Sequence, residues 1–183
     1  MRSLKDMLST RASKLMLLGA ALAIVGGSVY AWEVPPPDDF LTGGGWILRA
    51  NGAKANFGVG GGVKNGDWWG HLEYIDHGTG LNVHATSITA YEISDDNSRD
   101  VCGWANTDQF GQVAFHLRAI DNGEPGDNDV FIIRLGQHGT VVYTTEGDPD
   151  HTLGGPLPGG GNIQLHKGNA SNTAPNTPPD CEI

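Results

Sequence analysis

The sequence predicts an all-β fold, a single antiparallel β-sandwich or partly closed β-barrel with mostly meander connections. Three observations predict it. Residues 43–167 carry no convincing 3.6-residue apolar periodicity. They show instead short alternating runs rich in Val, Ile, Thr and aromatics, broken by Gly, Asn and Asp. The chain also holds 28 Gly and 10 Pro, enough for many turns.

Nine strands are expected in order. Residues 45–49 (Gly-Trp-Ile-Leu-Arg) follow a glycine run, and 55–64, with Phe57, Val59 and Val63, stop at Asn65-Gly66. Residues 68–76 alternate Trp68, Leu72 and Tyr74 with polar neighbours, and 81–93 open with Leu81, Val83 and Ala85. Residues 100–107 follow the breaker Asp95-Asp96-Asn97. Residues 112–120 carry Val113, Phe115 and Leu117, which should be buried with His116 and Arg118 outward. The runs 129–135, 141–145 and 162–167 complete the set. Short connections imply that neighbours in sequence pair antiparallel.

One hairpin reads almost residue by residue. If His77 and Gly80 close the turn His77-Gly78-Thr79-Gly80, Glu73 faces His84, Tyr74 faces Val83 and Leu72 faces Ala85. Leu72, Tyr74, Leu81, Val83 and Ala85 then share the core face, and a one-residue slip would bury the polar set instead. Past Thr86 the apolar phase flips, so a bulge is expected near Thr86-Ser87.

The termini are of a different character. Arg2, Lys5, Arg11 and Lys14 precede the apolar run 15–25 and a small-residue site at Val29-Tyr30-Ala31, the order of a secretory signal in residues 1–31. Residues 32–42, with Pro35-Pro36-Pro37, read as a Pro-rich linker, 43–167 as the β domain and 168–183 as a polar tail. Cleavage after Ala31 leaves 7 basic and 20 acidic residues, a formal charge of −13. Such a surface argues against nucleic acid and anionic membranes as partners and leaves a cell-surface protein or polysaccharide. A secreted, periplasmic or extracellular location is therefore expected. There the only two cysteines, Cys102 and Cys181, should pair and tie the tail back.

The blocks Thr42-Gly-Gly-Gly-Trp46-Ile, Lys54-Ala-Asn-Phe57-Gly and His71-Leu-Glu-Tyr-Ile-Asp76-His77 come in this order. Gly80-Leu-Asn-Val-His84-Ala-Thr-Ser87 and Asp121-Asn-Gly-Glu-Pro-Gly-Asp127-Asn-Asp129-Val-Phe follow. Together they resemble a recurrent bacterial secreted β domain of unknown function, often found C-terminal to choice-of-anchor domains in exported proteins. The resemblance implies an exported β module and supplies no catalytic residues. The sequence departs from that pattern in its second Cys, in His71 and in carrying no companion domain within these 183 residues.

Four constellations are candidates for chemistry. Asp121, Asp127 and Asp129 lie in an acidic, Gly-containing loop whose hard oxygens suit calcium, although a solvated turn is the plainer reading. His71, Glu73 and His84 share one cross-strand neighbourhood and could grip Zn²⁺ or Cu²⁺, with His116 as a further ligand were its strand adjacent. A Glu–His pair on a wet face is the plainer reading there. A metal-dependent extracellular enzyme built on that trio is one alternative function. The other is a carbohydrate-binding module using an exposed Trp among Trp68, Trp69 and Trp104, with Tyr91 as a further platform residue. No Gly-x-Ser-x-Gly elbow is present, and Asp76, Asp95, Asp96 and Asp100 read as acidic turn residues before they read as paired glycosidase carboxylates. The leading expectation is a secreted, non-enzymatic module acting in binding or as a structural surface component.

Overall fold

The computed structural model describes residues 39–167 and 175–183. The expected signal peptide, most of the expected linker and residues 168–174 lie outside the described residues. The strands are β1 (Asp39–Leu48), β2 (Lys54–Lys64), β3 (Asp67–Asp76), β4 (Leu81–Asp95), β5 (Ser98–Thr107), β6 (Gly111–Ile120), β7 (Val130–Gln137), β8 (Thr140–Thr144) and β9 (Gly161–Lys167). They form one antiparallel sheet in the order β8-β7-β6-β5-β4-β3-β2-β1-β9, a meander with β9 returning beside β1. The sheet is not closed into a barrel.

Side chains on one face account for the core. Leu41, Phe57, Val59, Leu72, Tyr74, Val83, Val101, Phe115, Phe131 and Ile133 are all buried together. Phe57 on β2 stacks on Phe131 on β7 with ring centroids 4.0 Å apart, and Tyr74 lies 5.9 Å from the same ring. These strands are far apart in the sheet order, so the sheet must curl around its own apolar face. The segment after β8 spans the gap. Phe131 N–H donates to His151 O, Leu153 N–H to Asp129 O, and Gly154 N–H to Trp46 O. Close strand approach elsewhere depends on glycine. A β-carbon at Gly70, whose φ is 152°, would stand 2.1 Å from the Gly60 carbonyl oxygen.

The expected hairpin register holds, with Glu73 opposite His84 and Tyr74 opposite Val83. A register shift falls between Ala85 and Ser87, at the expected bulge, and two further shifts follow at Ile88/Ala90 and Ile93/Asp95. Val113, Phe115 and Leu117 are buried. The linker boundary needs correction, because β1 already begins at Asp39. Its residues 39–44 pair with β2 or β9, and most pair with both. That two-sided ladder stabilises a glycine-rich stretch whose composition alone reads as loop.

Candidate binding face and the polar networks behind it

Both ends of the curled sheet are sealed by buried polar networks. At one end Arg49, just past β1, reaches three elements. Its Nη1 donates to Asp76 Oδ2 at 2.5 Å, its Nε to Asp148 Oδ2 at 2.5 Å, and its Nη2 to Thr144 O at 3.2 Å. Tyr143 OH donates to Asp76 Oδ2 at 2.8 Å and lies 2.6 Å from Tyr74 OH. Burial opposes ionisation of Asp76, but hydrogen bonds from Tyr143 and Gly78 and the Arg49 charge outweigh it and hold the carboxyl below its ordinary value. Burial pushes the Tyr74 phenol up to about 12 and raises Tyr143 further, so both remain proton donors at neutral pH. At the opposite end Arg99 Nε donates to Asp39 Oδ2 at 3.0 Å and Tyr91 OH to Asp39 Oδ1 at 2.7 Å. Each cluster is paired within itself, which is what a buried charge requires.

The acidic loop turns its carboxylates inward. Asp129 is fully buried and accepts the backbone N–H of Asn122 at 2.8 Å and of Ile163 at 2.7 Å. Asp121 accepts Gly123 N–H and Leu165 N–H, each at 2.9 Å, and Asp127 accepts Gly159 N–H at 2.9 Å. The three carboxylates thus fasten β9 and the segment before it to the loop. Burial raises the Asp129 carboxyl above its ordinary value against those amide bonds.

On the outer face of β3 and β4, Glu73 and His84 meet directly in an exposed pair through His84 Nδ1. His71 lies further along the same face, its ring against Gly60. His116 is not brought to them: β5 lies between β4 and β6, and His116 Nε2 sits 3.1 Å from Asp100 Oδ1 instead. Among the described residues no group of three or more His, Cys, Asp or Glu is arranged to hold a metal ion.

The tryptophans separate as well. Trp68 packs against the core cluster, and Trp69 lies with its ring 6.1 Å from Phe40. Tyr91 is wholly buried against Asp39, which corrects its assignment to an exposed aromatic platform. The position follows from the second register shift in β4, between Ile88 and Ala90, which restores the parity of Leu81 and Val83 and returns Tyr91 to the core face. Trp104 is 43% exposed on the outer face of β5.

That outer face is crossed by the C-terminal segment. Asn176 N–H donates to Gly66 O at 2.8 Å, Thr89 Oγ1 donates to Asp180 O at 2.6 Å, and Cys181 is joined to Cys102. Ile183 lies on β7, where a β-carbon at Gly136 would meet its Cγ2 at 1.7 Å. The strap buries Cys102 and Ala114 although both point away from the core. Beside it runs a groove of about 510 Å³, lined by Trp104, Gln112, Gly136, Gln137, His138 and Glu182. Gln137 Nε2 is held by the carbonyls of Phe110 and Gln112, so that wall of the groove is fixed.

The buried end networks had no signal in the sequence beyond parity. Asp76 shares the phase of Leu72 and Tyr74, which places it inside the curl with them. Comparison with known protein families, with curated proteins and with solved structures finds no match for this chain. The fold and the face together define the class: an antiparallel β module with a disulfide-anchored strap over one face of its sheet. The disulfide fits an oxidising compartment.

Proposed function

We propose that this protein is an exported, non-enzymatic β module that binds a cell-surface polysaccharide through the groove beside Trp104. The exposed indole in the groove of about 510 Å³ carries the reading. A sugar ring presents C–H groups that pack on an indole face, while its hydroxyls pair with side-chain amides and carboxylates. Gln112 and Glu182 supply such partners around Trp104, and the His138 imidazole adds a third polar group. The rigid sheet and the strap pre-form the groove, which lowers the ordering cost of binding. The signal-like N-terminus and the acidic surface support export and argue against polyanions as general partners. The non-enzymatic reading is supported by the pairing of the buried carboxylates and phenols with one another and with arginines.

Affinity electrophoresis through gels containing neutral polysaccharides tests the proposal. The wild-type protein should be retarded by at least one of them. Trp104→Ala should migrate freely with an unchanged thermal midpoint. Free migration of the wild type in every gel, or full retardation of Trp104→Ala, overturns the reading.

A further inference from the structure

Four arginines follow residue 31, and Arg49 and Arg99 are locked into the two end networks. The other two, Arg118 and Arg134, line one pocket of about 280 Å³ on the outer face of β6 and β7, with His116, Ile132 and Glu146. His116 stands opposite Arg134, and Arg118 opposite Ile132, so the two arginines lie on a cross-strand diagonal, Arg118 turned toward Asp100 on β5 and Arg134 toward Glu146 past β8. Two cations so placed repel unless anions stand beside them.

The two counter-ions differ. Asp100 is fully committed: Arg118 Nε and Nη2 donate to its two oxygens at 2.9 Å each, Ser94 Oγ at 2.5 Å, and His116 Nε2 lies 3.1 Å away. Burial opposes its ionisation, and those hydrogen bonds outweigh it, so the carboxyl lies well below the ordinary range. Glu146 accepts from Arg134 Nη2, adds to the field at Arg118 and has a side chain 47% exposed. An exposed pair of this kind is worth little. Arg134 Nε, on the same edge of the guanidinium, is buried and has no hydrogen-bond partner. A buried donor without an acceptor is costly, and an anion that accepted from both Nε and Nη2 would remove the cost in a two-bond fork.

We infer that this pocket is a binding site for one oxyanion group, a carboxylate, sulfate or phosphate, and that Glu146 occupies part of it as an internal stand-in. The site adjoins the Trp104 groove along β6 and β7 but shares no lining residue with it, and it does not rest on the polysaccharide reading. A ligand displaces Glu146 from Arg134 and takes both nitrogens of that edge, while Arg118, already neutralised by Asp100, closes the far wall.

Sulfate replacing chloride at constant ionic strength tests this, followed by the nitrogen–proton NMR signal of Arg134 Nε. The signal should move and saturate. Arg134→Lys, which keeps the charge and loses the planar fork, should bind sulfate at least about tenfold more weakly by calorimetry. Glu146→Gln, which removes the competitor, should bind it about threefold or more tightly. A second arm separates the sources. A sulfated or uronic monosaccharide that binds more tightly than sulfate marks the group as part of a saccharide, and equal affinity marks the free ion. A linear, non-saturating shift, equal affinity in Arg134→Lys, or no gain in Glu146→Gln overturns the inference.

Discussion

Replacing Arg49 with Met puts the buried charge network to its severest test. The Arg49 side chain is 12% exposed, and the two carboxylates it holds are 1% and 5% exposed. Without it Asp76 keeps Tyr143 OH and the amides of Gly78 and Thr79, whereas Asp148 keeps only the Ala50 amide at 3.1 Å. Removing one partner of a buried pair costs about 3–5 kcal/mol, because the remaining charge is left desolvated. Against a total stability on the order of 5–15 kcal/mol that is a large fraction. At about 2–4 °C per kcal/mol for a domain of this size, the midpoint should fall by roughly 6–20 °C.

The pH dependence identifies the cause. In the native protein the Asp76 carboxyl is held below its ordinary value. The stability this contributes is present above the unfolded pKa and is lost as pH falls through the folded one. In Arg49→Met the Asp76 carboxyl loses the Arg49 charge that helps to hold it low and rises, so acidification costs the variant less than the wild type. Urea unfolding followed by Trp fluorescence at pH 7, 4 and 3 should show the gap between wild type and variant narrowing below about pH 4, the ordinary aspartate value. Adding Asp148→Asn should recover part of the loss, about 1–2 kcal/mol. A loss under about 1 kcal/mol, or a gap that does not change with pH, would refute the reasoning.

Other predictions follow from the same structure. Thiol labelling of denatured, non-reduced protein should find no free cysteine, and reduction should lower stability by at most about 4.5 kcal/mol for a cross-link spanning 79 residues; two reactive thiols per chain would overturn the pairing. Tyr74→Ala should cost about 3–5 kcal/mol and Glu73→Ala well under 1 kcal/mol by urea unfolding, since one ring is buried and the other side chain pairs in solvent. Asp129→Ala should cost on the order of 2–4 kcal/mol by orphaning the Asn122 and Ile163 amides, with or without calcium; a calcium-dependent rise in the wild-type melting temperature that this variant abolishes would restore the loop as a cation site.

Particular residues show where sequence reasoning reached and where it stopped. The period-two alternation of Leu72 and Tyr74 with His71, Glu73 and Ile75 placed each side chain on a face, and the turn at 77–80 fixed the register. The parity change past Thr86 located the bulge in β4. These are local properties, because a strand's pleat and a tight turn involve only neighbouring residues. The disulfide was legible for a different reason, because two cysteines can pair in only one way.

The tertiary structure alone decided how the sheet curls, and with it every contact between residues distant in the chain. Arg49, Asp76, Tyr143 and Asp148 meet because β1, β3 and β8 end at the same rim, which no spacing in the sequence encodes. Asp129 reads as a loop acid by composition and becomes a buried clasp only because β9 returns beside β1. Trp104 borders a groove only because the disulfide carries the strap across β5 to Gly136 on β7. Alternation states which way a side chain points. What it meets there depends on long-range closure, and the burial of the core drives that closure with no regard to sequence distance.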